Sequence, residues 1–160
     1  GTRTEDIDVV GLTTGQAREC VKADLGAVHA DLYSVDLTVE PATDPTAGDT
    51  IDLYWCPSHS ATAAVGNIGN VTGADADWAG AVGMTLAESL AAMIYIGSAA
   101  LAVQNDSDGV PVYHVGVFSP GPFRYGVLVY HNNSTITLHS DSVEAAVRFQ
   151  PIIPDIQAAA

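Results

Sequence analysis

Positive charge is what this sequence has least of. Five Lys and Arg stand against 19 Asp and Glu in 160 residues, a formal net charge of −14, and the cations are scattered rather than gathered. Nucleic-acid binding draws its affinity from clustered cations, so a direct nucleic-acid ligand is not expected. The acidity is spread along the chain and reads as a soluble, self-repelling surface, with halophilic or marine adaptation, or docking onto a basic partner, as the sharper alternatives. Cysteine is nearly absent: Cys20 and Cys56 sit in separate strand-like runs, and one pair at arbitrary spacing says nothing about proximity. Long apolar runs are missing as well. The longest, Leu90 to Val103, is broken by Gly97 and Ser98, and the first residues show no charged-then-apolar leader. The expectation is a soluble chain made in the cytoplasm, with no membrane partner. Sustained helical periodicity is also lacking.

What is present is alternation. Hydrophobic residues make up 48% of the chain, enough for a real core, and the length suits a single domain over 1–160. Tyr33, Val35, Leu37 and Val39 alternate with Ser34, Asp36, Thr38 and Glu40, the period of a half-buried antiparallel strand. After a turn containing Pro45 and Gly48, Ile51, Leu53 and Trp55 alternate with Asp52, Tyr54 and Cys56, which predicts a partner strand ending at Pro57. The stretch from Val110 to Leu138 predicts a central hairpin. Tyr113, Val115 and Val117 share one face of its first strand; in its second, Phe123, Tyr125, Val127 and Val129 face one way and Arg124, Gly126, Leu128 and Tyr130 the other. Both faces of that second run are apolar or aromatic, which suits a strand covered on both sides. Ser119-Pro120-Gly121-Pro122 must turn, since two prolines around a glycine cannot continue a ladder.

The remaining elements follow the same logic. Residues 1–6 and 151–160 read as extended arms, with Ile7 to Val10 starting a first short strand. Gly15 to Asp24 carries both a helical stripe and a short alternation, and the strand is preferred. Thr85 and Glu88 have capping-box spacing for one helical turn. Met93 to Val103 is a strand that bends or bulges at Gly97; Asp108-Gly109 is a hairpin signal, and Asn132-Asn133 a further turn signal. Val143, Ala145, Val147 and Phe149 line one face of a last strand stopped by Pro151. Seven or eight strands and at most one short helix predict an all-β fold, an antiparallel β-sandwich, jelly-roll-like.

Chemistry-bearing motifs are sparse. His139-Ser140-Asp141 holds the triad residue types, but neighbours on an extended chain point to opposite sides and cannot form a relay, so a polar turn is expected. Asp52, Asp36 and Glu144 are the carboxylates that could form a glycosidase pair, with nothing in the sequence coupling them. Asn105, Asp106 and Asp108 could offer oxygens to calcium, although an Asp-Gly turn explains them more simply. His29, His59, His114, His131 and His139 lack zinc spacing; His114 and His131 could face each other across the hairpin. Asn70-Val71-Thr72 and Asn133-Ser134-Thr135 match the glycosylation sequon and are expected to be chance matches. No catalytic, cofactor-binding or metal-binding residue is therefore assigned, and an enzyme is not expected.

Binding has more to recommend it. Tyr33, Tyr54, Trp55 and Trp78 could form a stacking platform for a sugar, but Trp55 is in phase with Ile51 and Leu53 and belongs to the core. Trp78 lies in a long Gly- and Ala-rich excursion from Ser58 to Gly83, poor in large apolar residues, and is expected to be exposed or interfacial. Ile152, Ile153 and Ile156 lie beyond the last strand with no obvious face to bury. Trp78, Ile152, Ile153 and Ile156 are thus the expected partner-binding residues.

Two segments carry a family likeness. LYSVDLTVEPATDPTAGDTIDLYWCPS, followed later by FSPGPFRYGVLVYHNNSTITLHSDSVEAAVRFQPI, resembles small virion proteins of tailed bacteriophages. There, two strands around a Pro-Thr-Ala-Gly turn come first, and a strand ending in His-Asn and a closing strand come last. The likeness spans about two thirds of the chain and leaves out Ser58 to Gly83 and the C-terminal tail. It implies a β-sandwich on the outside of a phage capsid, a decoration or cement protein whose partners are the major capsid protein and neighbouring copies of itself, located in the virion. A tail or fibre protein and a carbohydrate-binding module are the alternatives.

Overall fold

Alternating runs bury one face each, and here they do so in two stacked antiparallel sheets. In this computed structural model residues 3–7, 9–101, 110–138 and 145–153 are described. Among them are ten strands and one helix: β1 (Arg3–Asp6), β2 (Ala17–Val21), β3 (Ala23–Asp24), β4 (Tyr33–Thr38), β5 (Thr50–Ser58), β6 (Ala74–Trp78), α1 (Leu86–Ala91), β7 (Ile94–Ala100), β8 (Val112–Phe118), β9 (Tyr125–Asn133) and β10 (Ala146–Pro151). One sheet runs β1-β10-β4-β8; the other runs β6-β2-β9-β5-β7, with β3 continuing beside β9. The expected all-β antiparallel sandwich is present. So is the capped turn: Thr85 Oγ1 accepts from the Glu88 amide at 3.3 Å, and Glu88 accepts from the Thr85 amide at 2.8 Å.

The expected hairpins are not. β8 and β9 lie in different sheets, β8 against β4 and β9 between β2 and β5. The Pro-Gly-Pro turn therefore carries the chain across the sandwich. A strand apolar on both faces needs cover on both sides, which a central place in the six-stranded sheet supplies; β8, with Val112 and Val117 exposed, suits an edge. β4 and β5 are separated in the same way, joined by a crossing loop instead of pairing. Pro57 does not end β5, which runs on to Ser58. Pairing with β7 stops at Trp55, so Pro57 has only β9 as a neighbour, and its missing N–H breaks no ladder on the other side. Residues Arg3–Asp6, read as part of an arm, are an edge strand on β10, and Pro151 is the last paired residue of β10, opposite Tyr33.

Two bulges meet at the seam between the sheets. Val115 is the extra residue where Val35 pairs with Gly116 and Asp36 with His114; Ile96 is the extra residue where Leu53 pairs with Gly97 and Tyr54 with Tyr95. The first explains why Tyr113 and Val115 pack on the core as expected while Val117 is exposed and Phe118 buried: one inserted residue reverses the phase. The second is the irregularity expected at Gly97. A Cβ at Gly97 would stand 2.3 Å from the Val115 carbonyl oxygen, and one at Gly116 2.9 Å from that of Ile96, so glycine is needed on both strands.

Between the sheets, Val35, Leu37, Ile51, Leu53, Leu128 and Val147 surround an aromatic cluster. Trp55 lies 5.5 Å from Phe118 and 5.9 Å from Phe149 in tilted and edge-on geometry, the arrangement aromatic quadrupoles favour. Its indole crosses Gly126, where a Cβ would approach within 2.2 Å of a ring carbon. Val127 and Phe149 are fully buried as expected, and the two sets of β9 take opposite faces as expected, Leu128 and Tyr130 inward and Val127 and Val129 outward.

The outward side chains are covered by a second core. Val71, Trp78, Leu90 and Met93 close over Ala17, Cys56, Val127 and Val129. The excursion from Ser58 to Gly83, expected on the surface, folds back over the outer face of the six-stranded sheet. Three polar anchors fix it there. Lys22 Nζ meets Ser58 Oγ (2.9 Å) and the carbonyls of Ser60 (3.0 Å), Thr62 (2.6 Å) and Val65 (2.8 Å). Buried Glu19 accepts from the Thr72 amide at 2.6 Å and from the Thr72 hydroxyl. The Cys56 thiol donates to the Ile68 carbonyl at 3.2 Å. Cys20 and Cys56 are both free; they face opposite sides of one sheet, which rules out a bond between them. Burial raises both thiols, Cys56 to about 11, and keeps them protonated.

Candidate functional site

The C-terminal ledge is built by strand pairing that runs one residue past β10. The Ile152 amide donates to the Leu32 carbonyl at 2.9 Å, which fixes the chain as it leaves the sheet. Ile152 is then 39% exposed, Ile153 79% and Leu32 44%, and with His29, Ala30 and Asp31 they rim a shallow depression of about 330 Å³. His29 braces this corner, its ring nitrogens 3.3 Å from the Gly26 carbonyl and 3.2 Å from that of Gly121. Of the four residues expected to bind a partner, Ile152 and Ile153 are thus exposed and adjacent. Ile156 lies outside the described residues. Trp78 is corrected: at 6% exposure it belongs to the outer core, because β6 pairs with β2 and sets the indole over Ala17.

The carboxylates considered for catalysis are separated. Asp36 sits on the outer face of the four-stranded sheet, held by His114 Nδ1 at 3.1 Å and Gln150 Nε2 at 2.9 Å. Asp52 sits on the outer face of the six-stranded sheet, in register with His131. The two point away from each other across the sandwich, and His114 and His131 do likewise. Glu144, the His139-Ser140-Asp141 turn and the Asn105, Asp106 and Asp108 loop lie outside the described residues. Tyr33 and Trp55 are buried, which leaves Tyr54 as the accessible member of the proposed stacking platform.

Asp52 opens onto a cleft of about 480 Å³ between this sheet and α1. Leu86, Ala87, Leu90 and Ala91 form one wall; Asp52, Tyr54, His131 and Asn133 line the other side. The Tyr54 ring packs against Tyr95 with centroids 5.3 Å apart. Ser98 donates its hydroxyl hydrogen to Asp52 Oδ1, and the Tyr95 hydroxyl is bonded to Ser98 in turn. His131 Nδ1 stands 3.7 Å from Asp52 Oδ2, too long for a hydrogen bond and close enough for an ion pair when the imidazole is protonated. That nitrogen is buried without a hydrogen-bond partner among the described residues. Burial pushes the Asp52 carboxyl up, but His131, Ser98 and Thr50 outweigh it and hold the group below the usual carboxylate range. Burial, then the charge of Asp52 and then Tyr95, raise the Tyr54 hydroxyl, which stays neutral.

In this cluster the carboxylate stands between serine and imidazole. A nucleophilic serine needs the imidazole in the middle to take its proton, so Ser98 is not activated here; the group can bind but not attack. Sequence reasoning named Asp52, Tyr54 and His131 for separate roles and did not join them in one site. Its signal was the outward Asp52 in a strand otherwise apolar on both faces, but the opposing His131 depends on strand register. Compared with protein-family models and with curated proteins, the chain matches none.

Proposed function

We propose that this protein is a structural, non-catalytic component of a larger particle, a capsid decoration or cement protein of the tailed-phage kind, seated through its C-terminal ledge. The observation that carries this reading is the exposure of Leu32, Ile152 and Ile153 side by side where the last strand leaves the sheet. Apolar surface gains about 25 cal/mol per Å² when removed from water, so such a ledge is more stable against a partner than in solvent. A shell offers many copies of one small footprint, and neighbouring copies on it convert modest contacts into firm attachment. The major capsid protein is the proposed partner.

The test mixes intact protein, and a variant with Ile152→Ser and Ile153→Ser, with shells assembled without it and with free shell subunits. The intact chain is expected to sediment with assembled shells, not to bind free subunits, and to lose most of its attachment in the variant. Failure of the intact chain to sediment would turn the reading toward a tail, fibre or glycan-binding role. The glycan role now rests on Tyr54 without Trp78, and glycan affinity lost in Tyr54→Ala would favour it.

A further inference from the structure

We propose that the cleft between α1 and the outer face of the six-stranded sheet binds an organic ammonium group carried on a short apolar chain, with Asp52 as its counter-ion. The volume, about 480 Å³, is within the range of small-ligand sites. Its two sides differ in chemistry. Leu86, Leu90 and the exposed Ala87 and Ala91 offer an aliphatic wall to a methylene chain, while Asp52 and Tyr54 offer a carboxylate and an aromatic ring to a cation. Asp52 is only 7% exposed; Ser98 bonds Oδ1, Thr50 also bears on the carboxylate, and His131 stands beyond hydrogen-bonding distance of Oδ2, where lone pairs remain for a cation. A shielded carboxylate with that spare capacity gains more from a cation than one in open water.

The rest of the molecule favours the same sign of ligand. Among the described residues, no Lys or Arg lines the cleft. Three of the chain's five cations are engaged elsewhere: Lys22 by loop carbonyls, Arg18 by Asp75 and Asp77, and Arg124 by Asp24 at 2.6 and 2.7 Å. The chain as a whole carries a formal charge of −14, and in the cleft the side chain that can offset Asp52 is His131 when protonated, so the field there favours cations over anions. A free alkylamine and a lysine side chain presented by another protein share this chemistry. The proposal stands apart from the ledge and does not depend on it.

The experiment is a titration of the full chain, followed by amide chemical shifts, with n-butylamine, blocked lysine (acetylated at Nα and amidated at the carboxyl), 1-butanol and sodium butyrate. Butylamine is expected to shift amides of α1 and of residues 52–54 and 131–133, with butanol and butyrate much weaker. Asp52→Asn should weaken amine binding about tenfold or more, the scale of one charge-assisted contact. Should Asp52→Asn disturb the fold, Ala87→Trp fills the cleft from an exposed position and should abolish the same shifts. Blocked lysine matching butylamine would assign a partner's lysine as the ligand; butylamine alone binding would assign a free amine. Equal binding of butanol, unchanged affinity in a folded Asp52→Asn, or shifts that persist in Ala87→Trp would overturn the proposal.

Discussion

The two faces of the six-stranded sheet are both buried, but by different means. The inner face meets a second sheet, and residues in strict alternation from β4, β5, β9 and β10 fill the space with aromatic and branched side chains. The outer face is covered by a chain segment of low apolar content, in which a few large residues are placed and polar anchors hold the rest. The lesson is that a long Gly- and Ala-rich stretch can form a core layer when the sheet beneath offers the hydrophobic side chains, and a buried acid and a half-buried amine to bond its backbone. The inner core should therefore be cooperative with the whole fold, and the outer layer should open by itself.

Substitutions can separate the two. Phe149→Ala, at a fully buried position in the aromatic cluster, is expected to cost about 3–5 kcal/mol and to lower the urea midpoint reported by every probe together. Trp78→Ala should cost less, about 2–3 kcal/mol, since its buried indole N–H has no partner among the described residues and its removal also removes that penalty. Hydrogen exchange should quicken from 58 to 93 while β4 and β10 stay protected; uniform acceleration would make the two layers one unit. Lys22→Met keeps the aliphatic stem and deletes the ammonium, at about 1–2 kcal/mol for the carbonyls left with water alone, with exchange quickening first at residues 60–66.

Acid should act at a different point. Asp49 accepts from the amides of Thr46 and Thr135, both at 2.7 Å, and from both hydroxyls, and these bonds lower its carboxyl from 3.8 to about 2. Because the folded-state value lies below the unfolded one, the stabilisation is complete above about pH 4 and is lost as pH falls through 2. Asp49→Asn should flatten that part of the stability profile, measured as urea midpoint against pH; an unchanged slope would remove Asp49 from the account. The smallest effect belongs to Ile153→Ser. At 79% exposure it should change stability by less than about 0.5 kcal/mol, so any loss of attachment in that variant is not a loss of fold.

Much of the inner layer was legible in the sequence. Period-two alternation assigned Val35, Leu37, Trp55, Val127, Leu128 and Phe149 to their faces, and Thr85 with Glu88 marked the one helical turn, because these signals are local. Strand partners were not legible. The Pro-Gly-Pro turn forces a reversal without saying whether the chain returns beside itself or crosses to the other sheet, and only the burial demands of both faces of β9 decide that. Trp78 was misplaced for a related reason. The composition of its surroundings looks like surface loop, and what covers it comes from residues such as Ala17 and Val129 that are distant in sequence. The Asp52 and His131 cleft was hidden because strand register brings those two together.

The glycine seam at Gly97 and Gly116 bears on how copies of this molecule can coexist at high density. An unpaired strand margin is a template on which another chain can polymerise. Here the bare margins of β7 and β8 are turned against each other at distances no side chain would permit, so that flank has nothing to offer a passing strand. Among the described residues, β1 and β6 are the outer strands at the other ends of the two sheets, and β6 carries Asp75 and Asp77. A second copy arriving at β6 would meet Asp77, whose side chain is 79% exposed although it pairs with Arg18. Along the β7 and β8 flank, a neighbouring copy can thus be met through side chains and not by strand addition.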